Sequence, residues 1–367
     1  MATRIAIIGG FLGAGKTTII NKIARALTDK GSNVAMIMND QGEALVDTRY
    51  TKAMGMETAE VLRGCFCCKF PDLMISARSL VGRNAPDVIL AEPVGSCTDL
   101  LATVVAPLKV LYPKEFTVAP LVILVDSERV MGKGFDPEKI GDYLRKHQIM
   151  EAEYVVLSKI DKITAEELEE IKFVVSEINP NAEIITYSAI TGRGLDKVIS
   201  VILSDNVSDK SPVDIDYDIY AKAEAELGWY NGTYHFQAKD RVDTYDMATR
   251  ILQGAAAEFD TEDIAHAKVM IQSPKSAMKM SIVLSNMTVD AVMGSRYAEG
   301  DVVLTVNARI VASPDPLKDV MRTTVQRALM QMNVAMEGFN DDCFSPSGRT
   351  RRTGCAPRYS RRSEQTI

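Results

Sequence analysis

Residues 10 to 17 read Gly-Phe-Leu-Gly-Ala-Gly-Lys-Thr, a glycine-rich run closed by a lysine and a hydroxyl residue. Gly10, Gly13 and Gly15 let backbone N–H groups curl around an anion. Ala14 and Thr18 complete the cradle, Lys16 can bridge β- and γ-phosphates, and the Thr17 hydroxyl can ligate Mg2+. That chemistry is the binding of a nucleoside triphosphate. A second cluster, Cys65, Cys67 and Cys68, puts three thiols in four positions. Thiolates so close can converge on a soft or borderline cation, with zinc, cobalt and Cu(I) all open on ligand grounds. The spacing is not the Cys-x-x-Cys of a zinc knuckle, so a carboxylate such as Glu43, water, the nucleotide or another subunit must complete the set. A buried structural cluster and a redox thiol pair are the rival readings.

Carboxylates at strand ends supply the remaining chemistry. Asp40 can reach Mg2+ through water, and Glu92 can hold the ion's hydration shell or orient an attacking water. Base recognition is expected at Ser158-Lys159-Ile160-Asp161 and Ser188-Ala189. Asp161 can accept from both N1–H and the exocyclic amine of guanine, the Lys159 stem can lie over the ring, and a backbone N–H at Ser188-Ala189 can donate to guanine O6. These features favour GTP. Ser158 stands where Asn is usual in GTPases, which predicts looser discrimination of the base.

The elements that must position these residues follow from the apolar pattern. Short runs at Arg4 to Gly9, Val34 to Asn39, Val88 to Ala91, Leu121 to Asp126, Tyr154 to Ser158 and Glu183 to Tyr187 alternate with segments of helical period. That predicts an α/β domain with a mostly parallel sheet covered on both faces, over residues 1–207. A helix should run from about Lys16 to Thr28. Asp136-Pro137 and the Thr164/Glu167 capping box mark two more helix starts, and Asn179-Pro180 ends the second. Residues 205–216 are polar and aperiodic and read as a connector.

Beyond it, alternation through Met278, Met280, Ile282 and Leu284, and through Val302 to Ile310, predicts antiparallel strands with one buried face. Leu317 to Met332 at helical spacing should pack on that face. A smaller α+β domain at 213–340 is expected. Residues 341–367 should form a disordered Arg-rich tail, since six arginines among Ser, Gly, Thr and Pro offer little apolar surface.

Composition narrows the class. With 42 basic against 49 acidic residues the net charge is -7, which argues against a general nucleic-acid binder. No apolar run reaches membrane-spanning length, so no membrane association and a cytoplasmic location are expected. His147, His235 and His266 are isolated and read as ordinary side chains.

The order GGFLGAGKTT, NDQGE with a following Asp, GCFCC, AEPVG and SKID resembles the CobW branch of the CobW/HypB/UreG GTPases over about residues 1 to 203. The resemblance implies a phosphate-loop domain that hydrolyses GTP with Mg2+, and that forms a homodimer or docks on a client. It further implies a Cys-x-Cys-Cys site for Zn2+ or Co2+ coupled to nucleotide state, in metal delivery or maturation of a metal- or corrinoid-dependent client. Two departures stand out: Asp40-Gln41 replaces the usual Glu-Phe, and no His-rich storage segment is present. The alternatives are a nucleotide-driven reactivase of a corrinoid methyltransferase, and a thiol-redox binding module with structural nucleotide.

Overall fold

The computed structural model describes residues 2–39, 46–47, 51, 57–62, 64–66, 68–130, 135 and 140–346. Asp40, Glu43, Cys67, the Asp136-Pro137 helix start and the tail from residue 347 lie outside the described residues.

The first domain is a parallel sheet of β1 (Thr3–Gly10), β2 (Val34–Asn39), β3 (Glu57–Val61), β4 (Val88–Glu92), β5 (Phe116–Val118), β6 (Val122–Asp126), β7 (Tyr154–Ser158) and β8 (Glu183–Thr186). Its order is β3-β2-β4-β1-β6-β7-β8, with β5 pairing off the path against β1. Both faces are buried, which explains the continuous apolar runs: Ile5 and Ile7 enter one core and Ala6 and Ile8 the other. The Thr164 hydroxyl accepts from Glu167 N–H and the Glu167 carboxylate accepts from Thr164 N–H, so the expected capping box opens the helix Ala165–Ile178.

The connector is fastened to this domain rather than hanging between two. Ser208 N–H donates to the Val118 carbonyl at 3.0 Å, and Lys210 Nζ donates to the Met150 and Ala152 carbonyls. The helix Tyr217–Ala225 then follows, capped by Asp216, and Tyr220, Ala223, Leu227 and Trp229 join the first domain's core.

The second sheet is antiparallel, in the order β12-β11-β10-β13-β9-β14. These strands are β9 (Leu227–Asp243), β10 (Ile264–Ser273), β11 (Ser276–Val283), β12 (Asn286–Gly294), β13 (Tyr297–Val311) and β14 (Met336–Phe344). Helices Thr244–Ala256 and Pro314–Gln331 cover one face, burying Met278, Met280, Ile282 and Leu304 among Met247, Ile251, Met321 and Val325.

Two expectations change here. The sheet does not have a single buried face, because its polar side chains Lys279, His266, Thr305 and Arg309 are buried as well. They face the nucleotide domain instead of water. Nor does the tail begin at residue 341, since β14 pairs with β9 through Phe344 and makes Asp341, Asp342 and Cys343 sheet residues. Stacking of Phe344 on Trp229 and a paired salt link from Arg322 to Asp341 hold that edge. Among the described residues no helix is long and apolar enough to cross a membrane.

Candidate functional site

The loop between β1 and the helix Lys16–Asp29 lines a cavity of about 310 Å3. The helix begins at Gly15 in a left-handed conformation, with no side-chain cap and no acidic residue in its first turn. Its first N–H groups and its partial positive charge are thus left for an anion. Lys16 is buried, which lowers its pKa, and its Nζ donates to the Phe11 carbonyl at 3.2 Å. Gly95, two residues beyond Pro93, allows this close approach, because a Cβ there would lie 2.9 Å from both Lys16 Nζ and Leu12 N. Gln148 Nε2 donates to the Gly95 and Cys97 carbonyls and fixes that loop.

Gly13, Ala14, Gly15, Lys16, Thr17 and Thr18 all line the cavity. Gly10 instead is the last residue of β1, paired with β6, where a Cβ would strike the Leu124 carbonyl oxygen at 2.3 Å. The Thr17 hydroxyl donates to Glu92 Oε1 at 3.0 Å, while Glu92 Oε2 is buried without a hydrogen-bond partner among the described residues. Burial pushes the Glu92 carboxyl up to about 7, against the pull of Lys16. A hydroxyl beside an oxygen that lacks a donor fits a hydrated Mg2+ ion.

Where a base is expected, Ser158, Lys159, Asp161 and Ala189 line the cavity. The Ser158 hydroxyl is directed at the Ala14 carbonyl, 2.8 Å away, so it ties β7 to the phosphate loop in place of the usual Asn. Lys159 has a left-handed backbone, and its Nζ is 2.5 Å from Asp126 Oδ2. Asp161 is exposed on a short helical turn at the rim of the cavity. Ser188 does not line the cavity; its N–H donates to the Arg193 carbonyl and its hydroxyl accepts from Thr191 N–H, shaping the loop that carries Ala189.

Asn39, at the end of β2, lines the same cavity and also holds the thiol turn. Its Nδ2 donates to the Val61 and Gly64 carbonyls at 2.8 and 2.7 Å, and its Oδ1 accepts from Phe66 N–H at 2.8 Å. Cys65 is buried and Cys68 exposed; Cys68 N–H donates to Cys65 Sγ at 3.3 Å. Among the described residues no group of three or more His, Cys, Asp and Glu side chains is placed to hold a metal ion. Cys67 and Glu43 stand outside them.

Sequence reasoning missed the far wall of the cavity, formed by Trp229, His266, Lys268, Lys279 and Arg309 of the second sheet. His266, read as an ordinary side chain, is buried in this wall. Arg309 stacks on Trp229, 4.2 Å from the ring centroid, and donates to Asn231 Oδ1 and the Tyr230 carbonyl. A lysine at a polar strand position carries no signal that it faces another domain.

A glycine loop joining the first strand of a parallel sheet to a helix, with Thr17 and Glu92 beside it, defines a phosphate-loop nucleotide-binding protein. Residues 4–186 match the family described as CobW/HypB/UreG, nucleotide-binding domain, and through this domain the chain belongs to that family. It is 30% identical over 198 residues to a zinc chaperone CobW of Sinorhizobium sp, covering 46% of this chain and 54% of the relative. It is 27% identical to the zinc chaperone YeiR of Escherichia coli, covering 45% and 48%. The chain thus spans about half the length of these curated relatives. Among solved structures, zinc-bound YjiA GTPase of E. coli is similar at 15% identity and a TM-score of 0.36, covering 90% of this chain and 99% of that one. The hydrogenase maturation factor HypB of Archaeoglobus fulgidus is similar at 20% identity and a TM-score of 0.37, covering 54% and 87%.

Proposed function

We propose that this protein is a GTPase whose nucleotide state governs a transition-metal cargo at the Cys65-Phe66-Cys67-Cys68 turn, for delivery to a metal-dependent client. The observation that carries the reading is Asn39, one side chain that borders the nucleotide cavity and hydrogen-bonds the turn bearing Cys65. A change at the terminal phosphate that moves β2 by a few tenths of an ångström must strain or relax those three bonds. The names of the relatives favour zinc as the cargo.

The reaction is water attack on the γ-phosphate. Lys16 and the helix N-terminus bind the phosphates, and Thr17 and Glu92 would hold Mg2+ directly or through its water shell, where the ion supplies charge neutralisation. Glu92 also stands where an attacking water could be oriented. Ser158 fixes the loop against β7, and Asp161 reads the base.

Asp161→Asn tests the guanine assignment. The acceptor pair for N1–H and the exocyclic amine is lost, so affinity for guanine nucleotides should fall about a hundredfold and xanthosine nucleotides should be admitted. Isothermal titration with GDP and XDP measures both. Unchanged guanine affinity in the variant would remove Asp161 from the site.

A further inference from the structure

The second sheet closes over the phosphate loop. A Cβ on Gly13 would lie 2.8 Å from the Val283 side chain and 3.0 Å from the Ala265 carbonyl oxygen, so loop and sheet are in contact. Lys268 and Lys279 line the cavity from that side. Between them lies a carboxylate of the first domain: Lys268 Nζ donates to Asp47 Oδ2, and Lys279 Nζ is 2.9 Å from Asp47 Oδ1 and 3.6 Å from Asp290 Oδ2. The two ammonium groups hold the Asp47 carboxyl well below the usual carboxylate range although it is half-buried. Val46, the preceding residue, docks on the same sheet, its N–H donating to Asn307 Oδ1 at 2.9 Å.

The wall also has donor capacity to spare. Trp229 Nε1, which can only donate, is buried without a hydrogen-bond partner among the described residues, and His266 Nδ1 is likewise unpartnered. A buried donor left unmade is costly, and native proteins tolerate it chiefly where a ligand completes the bond. Lys16 is close enough for Lys268 to depress its pKa further, so the cations of both walls act on one volume. Positive charge of this density, held by a carboxylate and bordered by an unused donor, is matched to a group with more charge and more acceptor oxygens than a carboxylate.

We propose that Lys268 and Lys279 grip the terminal phosphoryl group of the bound nucleoside triphosphate, and that Asp47 is the internal carboxylate keeping their place until that group arrives. This inference rests on the nucleotide site described above and extends it to the second domain, which thereby reads the nucleotide directly. A diphosphate lacks the terminal group and leaves the Asp47 pairs intact. A triphosphate displaces Asp47, whose loss of partners is offset by stronger charge-assisted bonds from the lysines to phosphate oxygens.

Isothermal titration of the full chain with GDP and with a non-hydrolysable GTP analogue, both with Mg2+, tests it. Lys268→Met and Lys279→Met should each weaken the analogue about tenfold or more and leave GDP within about twofold. Lys268→Arg should retain most of the analogue affinity, and Asp47→Asn should strengthen the analogue alone. Unchanged GDP binding shows that a variant is folded. Lys268 is the more exposed of the pair, so Lys268→Met decides the matter if Lys279→Met does not fold. Methionine variants that keep analogue affinity, or lose both nucleotides in parallel, overturn the proposal. A wild-type protein that binds neither nucleotide overturns the nucleotide reading itself, a result distinct from either.

Discussion

The cavity has two walls built on opposite plans. One is a continuous stretch, Gly13 to Thr18, in which neighbours in sequence are neighbours in space and the uncapped helix start offers its backbone N–H groups. The other is assembled from side chains on four strands, Trp229 on β9, His266 and Lys268 on β10, Lys279 on β11 and Arg309 on β13. A contiguous anion cradle can be recognised from residue types and spacing. A wall assembled by strand register becomes visible only when the sheet is docked, because alternation in a strand tells which side chains share a face and not what that face meets.

The walls also handle buried charge as a pair. Asp47 is half-buried between two lysines, and Glu92 lies opposite Lys16. Away from the cavity, Glu151 feels only a weaker pull from Lys210: Leu101 N–H donates to Oε2 at 3.2 Å, Oε1 has no hydrogen-bond partner among the described residues, and burial pushes its carboxyl up to about 8. Between its ordinary value of 4.5 and 8 the unfolded chain has released this proton while the folded chain keeps it. Stability therefore falls as pH rises through that window. Glu151→Gln keeps the acceptor and cannot ionise, so it should stabilise the protein on the order of 3 kcal/mol at pH 9 and far less at pH 5. Urea unfolding at the two pH values checks this, and an equal effect at both would show that Glu151 is compensated as Asp47 is.

A smaller effect is expected where the walls touch. Gly13→Ala puts a Cβ on a residue at φ +79 and into Val283 and the Ala265 carbonyl, at a cost of about 1–3 kcal/mol. Thermal unfolding and nucleotide titration should shift together, because the same contact seats the sheet and shapes the loop. A variant that melts normally and binds nucleotide normally would show that the walls are not in working contact.

Much of the first domain was legible because its signals are local. The strands Val34–Asn39 and Tyr154–Ser158 have the limits their apolar runs predict, and the Thr164/Glu167 capping box is present. β3 and β5 escaped notice, the first as the half-polar Glu-Thr-Ala-Glu-Val and the second as only three residues. β9 escaped because Gly228, Asn231 and Gly232 interrupt its alternation over 17 residues. The phosphate loop was readable as a motif, and the Ser158-to-Asp161 segment does line the same cavity. The part played by Asn39 was not, since its partners Val61, Gly64 and Phe66 lie more than twenty residues away and it spends its amide on their backbone.

In the proposed function the thiol turn and the terminal phosphate sense each other through β2 and Asn39. Chelator competition for Zn2+ on the full chain, loaded with GDP or with a non-hydrolysable GTP analogue, tests it most directly. The account predicts zinc affinities that differ at least about tenfold between the two states, with Cys67→Ala abolishing the difference. Equal zinc affinity in both states would contradict it.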